Sequence, residues 1–228
     1  MHENKERKNR CDGDATRATL IEAAGRLFAE RGFARTSAKD ICAAAGVGAA
    51  AVNYHFNGRD GLYEAVVREA HDRLVDMREL ESPENLSAPQ RLHRLLARFI
   101  AAGGGGDWAV PLLVREIFSG DASAGPLPAV ILPKKRVVER LMAETLGRAP
   151  EDPAVQRALA LFFLPCVGLL LVPRELRAAI LPALDADPEA FHRDFARWIN
   201  AGLAELAKKE EGEKKGGEGI VASGGQGN

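Results

Sequence analysis

The stretch from Ser37 to Phe56 reads SAKDICAAAGVGAAAVNYHF and contains the most specific pattern in this chain of 228 residues. Ser37 is a good N-cap residue, and Asp40 stands three positions later, where an acid favours the first turn of a helix. Gly46 lies between two short helical segments and permits a sharp turn. The stretch therefore predicts a helix-turn-helix whose small core consists of Ile41, Ala44, Val47, Val52 and Phe56.

The remaining face of the second short helix has small side chains and one amide. Ala49 and Ala50 let a helix enter the major groove deeply, and an alanine can touch a thymine methyl group. Asn53 can bond adenine through two hydrogen bonds. Side chains at the edges of the unit are suited to phosphate oxygens, namely Thr36, Ser37, Tyr54, His55 and Arg59. This pattern indicates double-stranded DNA as a partner.

The rest of the chain predicts further helices and contains no convincing strand pattern. Hydrophobic residues make up 46% of the sequence and aromatic residues 6%, with much Ala and Leu, which favours an all-α fold. We expect a first helix over about 15–31 and a long one over about 59–80. Later helices are expected over about 89–102, 110–118, 133–146, 153–172 and 188–208.

Charge and cysteine content narrow the class of protein. The formal net charge is −1, so a DNA-binding surface has to arise from the local placement of charge. Cys11, Cys42 and Cys166 are scattered and have no metal-ligand spacing, which predicts neither a disulfide framework nor a metal site and favours the cytoplasm. There is no phosphate-binding glycine loop and no nucleophile motif, so nothing supports an enzyme or a cofactor.

Neither the N-terminus nor the longest apolar run predicts an export signal or a membrane span. The N-terminal sequence MHENKERKNR is polar and lacks the apolar stretch of a signal peptide. The apolar run from Ala158 to Val172 has 15 residues, which is short for a membrane span and predicts a buried helix. We therefore expect no membrane segment.

The stretch LIEAAGRLFAERGFARTSAKDICAAAGVGAAAVNYHFNGRDGLYEAV resembles the N-terminal domain of the tetracycline-repressor (TetR) family over roughly residues 15–65. The matching motifs are LFAERGF, TS, the D-I-x-x-x-A-G-V turn and Y-H-F. The resemblance implies phosphate contacts by Thr36 and Ser37, base-facing positions at Ala49, Ala50 and Asn53, and further backbone contacts by Tyr54, His55 and Arg59. Gly48 belongs to the same DNA-binding set but stands where the family usually has Ser or Thr, which removes a cap. At subgroup level, AAAVNYHF, GLYEAV and REIFSGDASAGPLPAV resemble the CecR-type regulators.

The resemblance also implies a division into domains. We expect a disordered N-terminus (1–13), a DNA-binding domain (14–74), a C-terminal effector-binding and dimerisation domain (75–208) and a disordered, charged, Gly-rich tail (209–228). Candidate effector-binding residues are Phe99, Leu113, Arg115, Phe118, Met142, Phe162 and Cys166. A stripe at helical spacing predicts the dimer interface, with Phe195, Trp198, Ile199, Gly202 and Leu206. Both sets have a simpler interpretation as intramolecular core.

These observations predict a homodimeric, sequence-specific transcriptional regulator. The family resemblance implies a repressor that a small hydrophobic molecule releases from a roughly palindromic operator, with the long helix over about 59–80 transmitting the change. One alternative is an architectural DNA-binding protein without an effector. The large apolar C-terminal region argues against that alternative, because an architectural protein has no need of such a domain.

Overall fold

Helices form all the regular secondary structure in the computed structural model, which describes residues 2–81, 86–103, 107–119 and 125–208. A 3-10 turn (Phe33–Arg35) follows the first helix. The α-helices within these ranges are α1 (His2–Arg31), α2 (Ala38–Ala45), α3 (Ala51–Phe56), α4 (Arg59–Leu74), α5 (Met77–Glu81), α6 (Ala88–Gly103), α7 (Ala109–Phe118), α8 (Leu127–Leu146), α9 (Pro153–Leu171), α10 (Arg174–Ile180), α11 (Pro182–Ala186) and α12 (Pro188–Ala207). The predicted all-α fold class is confirmed.

The first four helices pack around one small core. Leu20 and Phe28 of α1, Ile41 of α2 and Leu62 of α4 are fully buried. α1 contacts both α2 and α4, and α3 packs on α4. Burial of a side chain of this size contributes about 1.5–3 kcal/mol. These contacts hold α3 at a fixed angle to the rest of the N-terminal unit.

Both ends of α2 are fixed by local backbone chemistry. The Ser37 hydroxyl oxygen accepts a hydrogen bond from the Asp40 amide (3.1 Å), and the Asp40 carboxylate accepts one from the Ser37 amide (3.1 Å). The hydrogen bonds that the Ser37 hydroxyl and the Ser37 amide donate to the carboxylate lower the pKa of Asp40, which keeps a negative charge at the positive end of the helix. Gly46 ends α2 with a φ of 66°, a left-handed conformation that favours glycine. The predicted cap and turn are confirmed.

The C-terminal region has α6, α8 and α9 at its centre, with α12 packed against all three. Its buried side chains include Leu96 of α6, Val138 and Met142 of α8, and Phe162 of α9. α4 and α7 lie between the two parts of the molecule, because α4 contacts α1 and α3 on one side and α6 and α8 on the other.

The junction between the two parts contains a close approach of α1 and Trp108, which precedes α7. A Cβ atom placed on Gly25 would lie 2.3–2.5 Å from three carbons of the indole ring, so only glycine permits the contact. The indole N–H donates to Glu22 (2.9 Å), and the Arg73 guanidinium lies 4.5 Å from the ring centroid. Arg73 also pairs with Glu22 and with Asp107. α1, α4 and the start of α7 are therefore bonded to one another.

Two helix boundaries in the N-terminal half differ from the prediction. α1 begins at His2 instead of near residue 15, because residues 2–12 read HENKERKNRCD and include several strong helix formers. Residues 2–13 are thus part of α1, where the sequence analysis predicted disorder. α4 ends at Leu74 instead of Leu80, because Val75 is extended (φ −128°, ψ 91°) and its carbonyl accepts a hydrogen bond from Lys134 (2.9 Å).

Further differences occur in the C-terminal half. α8 begins at Leu127 and includes Pro133, which was predicted to start that helix. Pro128 occupies the first turn, where a missing N–H has no cost. The short helices α10 and α11 were not predicted. The predicted tail over 209–228 lies outside the described residues.

α9 has an apolar composition along its whole length. Among the described helices it is the one that is long and apolar enough to cross a membrane by length and composition, and 33% of its most apolar 18-residue stretch is buried. One face of α9 packs into the C-terminal core through Ala154, Val155, Ala158, Leu159, Phe162 and Cys166. The predicted buried helix therefore has an apolar face that its own subunit does not cover.

Candidate nucleic-acid interface and internal cavity

The exposed face of α3 and of the turn before it consists of small residues and two longer polar side chains. Gly48, Ala49, Ala50 and Asn53 are exposed. Tyr54 is 84% exposed, which is unusual for a tyrosine and leaves its hydroxyl accessible to a partner. The structure thus brings five predicted site residues together on one surface.

The buried side of α3 fixes the orientation of that surface. Val52 and Phe56 are buried beneath it, as predicted. Ala44 was predicted to join this core but is exposed, and Cys42, two positions further from the turn, is buried instead. α3 has no side-chain cap, and the Ala51 amide donates to the Gly48 carbonyl (3.0 Å). This agrees with the loss of a cap expected from Gly48.

The predicted phosphate-binding residues at the edges differ in exposure. Ser37 is exposed and His55 is half-buried. Thr36 is buried, and its hydroxyl donates to the Gly32 carbonyl (2.9 Å). The Thr36 side chain therefore does not lie on the outer surface that the prediction assigned to it, because its hydroxyl bonds the turn after α1.

Arg59 is also engaged within the domain. One guanidinium N–H donates to the Thr36 carbonyl (3.2 Å), and the group lies 4.1 Å from the centroid of the Phe33 ring. Two basic side chains that the prediction omitted, Arg35 and Lys39, are exposed on either side of Ser37. Their position next to Ser37 in the sequence was the signal that could have identified them.

A cavity of about 480 Å³ lies in the C-terminal region. Most of its lining is apolar and comes from α4, α7, α8 and α9, and Phe99 of α6 also lines it. Leu113 on α7 lines it together with Val110, Val114 and Ile117. These four residues recur at three- and four-residue spacing and therefore share one face of the helix. Phe99 and Leu113 are thus the two predicted effector residues that border this cavity.

The other five predicted effector residues do not border the cavity. Met142, Phe162 and Cys166 are packed in the core between helices. Burial raises the pKa of the Cys166 thiol to about 12, so this thiol is inert at neutral pH. Arg115 and Phe118 lie on the opposite face of α7, where the Arg115 guanidinium donates to the Glu30 carbonyl of α1 (3.2 Å).

A polar cluster lies at the α4 end of the cavity. The Lys134 ammonium is buried and donates to Asp72 (2.6 Å), to the Val75 carbonyl (2.9 Å) and to Nδ1 of His71 (2.9 Å). Burial lowers the pKa of Lys134, and the bond to Asp72 opposes that shift. Burial and the Lys134 charge lower the pKa of His71 to about 4, so its ring is neutral at neutral pH. The sequence prediction identified none of these residues, which are distant in the chain.

An apolar outer surface lies on α9 and α12. Leu161 is 54% exposed and Trp198 is 58% exposed, and both line a groove with Gly202 and Leu206. Phe195 is half-buried and stacks on Trp198. Ile199 is only 7% exposed in a single subunit. Ile199 is therefore largely buried within its own chain, at the base of the same groove.

No group of three His, Cys, Asp or Glu side chains within the described ranges is placed to hold a metal ion. The two cysteines whose side chains are described, Cys42 and Cys166, are buried and free.

The fold and the exposed face of α3 define a helix-turn-helix protein. Residues 20–66 match the bacterial regulatory proteins of the tetR family. Residues 20–66 of this chain thus form a TetR-type N-terminal domain. The CecR-type subgroup stays a prediction.

Individual relatives agree with this assignment. The chain is 39% identical over 93 residues to the probable HTH-type transcriptional regulator ArpR of Pseudomonas putida, covering 40% of this chain and 43% of ArpR. It is 41% identical over 78 residues to the HTH-type transcriptional regulator TtgR of Pseudomonas putida, covering 33% of this chain and 37% of TtgR. The matches therefore span less than half the length of these relatives.

A similarity of fold extends over most of the chain. The structure of GusR from Salmonella enterica aligns with a TM-score of 0.58 and 21% sequence identity, covering 85% of this chain and 95% of GusR. At this identity the alignment shows a similar fold alone. What the C-terminal region binds has to be inferred from this chain's own residues.

Proposed function

We propose that this protein is a cytoplasmic, homodimeric transcriptional regulator that binds a specific operator and is released from it by a small apolar molecule. The observation that supports this most directly is the exposed face of α3, which presents Ala49, Ala50 and Asn53 above a buried anchor of Val52 and Phe56. Small side chains let the helix enter the major groove, and the asparagine reads adenine. The likeness to ArpR and TtgR, both HTH-type transcriptional regulators, supports the same function.

Backbone contacts would come from the edges of the same surface. Ser37, Tyr54 and His55 are placed around α3. The exposed Arg35 and Lys39 add positive charge beside Ser37. Because the net charge of the chain is −1, such local placement supplies the attraction to DNA.

Dimerisation is supported by the outer surface of α9 and α12. Leu161 and Trp198 expose apolar area beside the small residue Gly202, a shape into which a partner's side chain can insert. A second copy of the chain would present the same surface, as a two-fold interface requires. A dimer would also place two copies of α3 for a palindromic operator.

An effector role is supported by the position of the cavity relative to α3. α4 packs against α3 near its start and lines the cavity through His71 and Leu74 near its end. α7 lines the cavity on one face and bonds the N-terminal unit on the other, through Glu116 to Tyr63 and through Arg115 to α1. A ligand that changes the packing of either helix can therefore change the spacing of the two recognition helices. An architectural DNA-binding protein has no use for this cavity.

The test combines selection of genomic DNA fragments with two substitutions. Wild-type protein should protect a palindromic site, and Asn53→Ala should lose about 1–3 kcal/mol of discrimination at one base pair of each half-site. Lys39→Ala is the matched backbone variant and should weaken binding to all sequences while it lowers the salt slope by about one unit. Binding without any sequence preference would instead favour the architectural alternative.

A further inference from the structure

The lining of the cavity contains few polar groups, and their hydrogen bonds decide what a ligand can do there. Among the lining residues, only four are polar. They are His71, Lys134, Lys135 and Gln156. A bound molecule has to be largely apolar, because most of its surface would touch aliphatic and aromatic side chains.

Both lysines are already paired with a carboxylate of their own chain. The three N–H groups of Lys134 have three acceptors, on Asp72, Val75 and His71. At the mouth, Lys135 pairs with Glu139 (3.1 Å), which also accepts a hydrogen bond from Gln156. A carboxylate ligand would have to break one of these pairs or lose its hydration without a partner, and either change is costly.

His71 presents a hydrogen-bond donor in the lining of the cavity. Because Nδ1 accepts a hydrogen bond from the Lys134 ammonium, the proton of the neutral ring is on Nε2. Nε2 has no hydrogen-bond partner among the described residues. It is also absent from the set of fully buried polar atoms without a partner, so it keeps some accessible surface. The ring itself lines the cavity. Lys134 therefore acts as a positioning residue that fixes the tautomer of His71.

We propose that the cavity takes a neutral, largely apolar molecule with a hydrogen-bond acceptor such as a carbonyl oxygen, and that Nε2–H of His71 donates to that acceptor. This inference rests on the effector role proposed above and specifies the chemical class of the effector. It makes His71 the residue that distinguishes an acceptor-bearing ligand from a hydrocarbon or an anion of the same size.

The test uses three matched probes with two phenyl rings: benzophenone, which has a carbonyl acceptor, diphenylmethane, which has none, and diphenylacetate, which is an anion. Their affinities for the full chain are measured by displacement of the neutral fluorophore N-phenyl-1-naphthylamine. Wild-type protein should bind benzophenone about fivefold more tightly than diphenylmethane, the factor expected for one hydrogen bond. Diphenylacetate should bind most weakly.

Substitutions then assign the preference to His71. His71→Leu should abolish the preference for benzophenone while it changes the affinity for diphenylmethane less than about twofold. His71→Gln retains an N–H donor and an acceptor for Lys134 and should retain much of the preference. His93→Leu is the matched control, because His93 is an exposed histidine that does not line the cavity.

Imidazole ¹⁵N spectra of the wild-type protein provide a test without substitution if His71→Leu does not fold. They should show His71 protonated on Nε2 alone, with a shift of that N–H when benzophenone binds. Equal affinity for benzophenone and diphenylmethane, or tightest binding of diphenylacetate, would overturn this inference and leave the effector role standing. If neither the fluorophore nor any of the three probes binds, this inference fails together with the effector role.

Discussion

The N-terminal unit and the C-terminal region of this protein differ in how they use apolar side chains. The N-terminal unit buries Leu20, Phe28 and Ile41 completely and exposes small and polar residues on α3. The C-terminal region encloses a cavity of about 480 Å³ and leaves Leu161 and Trp198 exposed. One part is suited to a hydrated, rigid surface such as a DNA groove, and the other to an apolar ligand and a second subunit.

This difference indicates where a change of shape can occur. A well-packed core resists deformation, because side chains in contact on all sides have no room to move. Helices that border a cavity can pack in more than one way, and a ligand selects the arrangement that it binds most tightly. We infer that the N-terminal unit moves as one body and that the rearrangement occurs in the helices around the cavity.

The largest expected effect concerns the exposed apolar surface. In a dimer, Leu161→Glu would place a charge without a partner against the second subunit, which costs several kcal/mol. We expect a helical monomer whose affinity for a full operator falls by about 100-fold or more, since each half-site alone binds weakly. Analytical ultracentrifugation and operator titration measure the two quantities.

Leu132→Glu is the matched control, since Leu132 is an equally exposed leucine on α8. It should remain dimeric and bind operator normally. If Leu161→Glu remains dimeric, the apolar surface of α9 and α12 is not the dimer interface. Ile199→Asp would be a poor test of the interface, because a charge at this buried position destabilises the single subunit.

A smaller effect is expected at the junction of the two parts. The Tyr63 hydroxyl of α4 donates to the buried Glu116 carboxylate of α7. Burial and this hydrogen bond raise the pKa of Tyr63, so the phenol stays protonated and keeps donating. Tyr63→Phe should lower the free energy of unfolding by about 2 kcal/mol, because the carboxylate loses its donor.

Urea denaturation of the double variant Tyr63→Phe, Glu116→Met separates this cause from lost packing. The double variant should be destabilised by less than the sum of the two single changes, because no buried charge is left without a donor. Strict additivity would mean that the two helices are not coupled through this contact.

The smallest effect is expected inside the N-terminal unit. Arg59→Ala removes the hydrogen bond to the Thr36 carbonyl and the contact with the Phe33 ring, so the free energy of unfolding should fall by about 1 kcal/mol. The exposed Lys39 has no such contact, and Lys39→Ala should change stability by less than about 0.5 kcal/mol. Unchanged stability of Arg59→Ala together with a flatter salt dependence of DNA binding would mean that Arg59 contacts phosphate instead.

Local signals in the sequence were sufficient for the helix-turn-helix. Ser37, Asp40 and Gly46 determine the cap and the turn through contacts within a few residues, so the pattern and the structure agree. The same kind of argument placed Asn53 on the exposed face. It placed Thr36 wrongly, because the hydroxyl bonds the Gly32 carbonyl of the preceding turn and not a solvent-facing partner.

The cavity depends on contacts that no local pattern contains. Lys134 and His71 are 63 positions apart in the chain, and only the packing of α8 on α4 brings them together. Periodicity identifies an apolar helix but not which of its faces borders empty space, so it could not distinguish Leu113, which lines the cavity, from Met142, which does not. The end of α4 at Leu74 was missed for the same reason, since Val75 bonds a lysine from α8.

The contact between Gly25 and Trp108 limits how hybrid regulators can be built from this protein. A fusion that joins its DNA-binding half to the C-terminal half of another regulator would replace Trp108 but keep the gap on α1 that the indole ring fills. The reverse fusion would bring Trp108 against a foreign first helix, and any side chain at the position of Gly25 would collide with the ring. A working hybrid should therefore transfer Gly25, Glu22 and Trp108 together, even though 83 positions separate the glycine from the tryptophan.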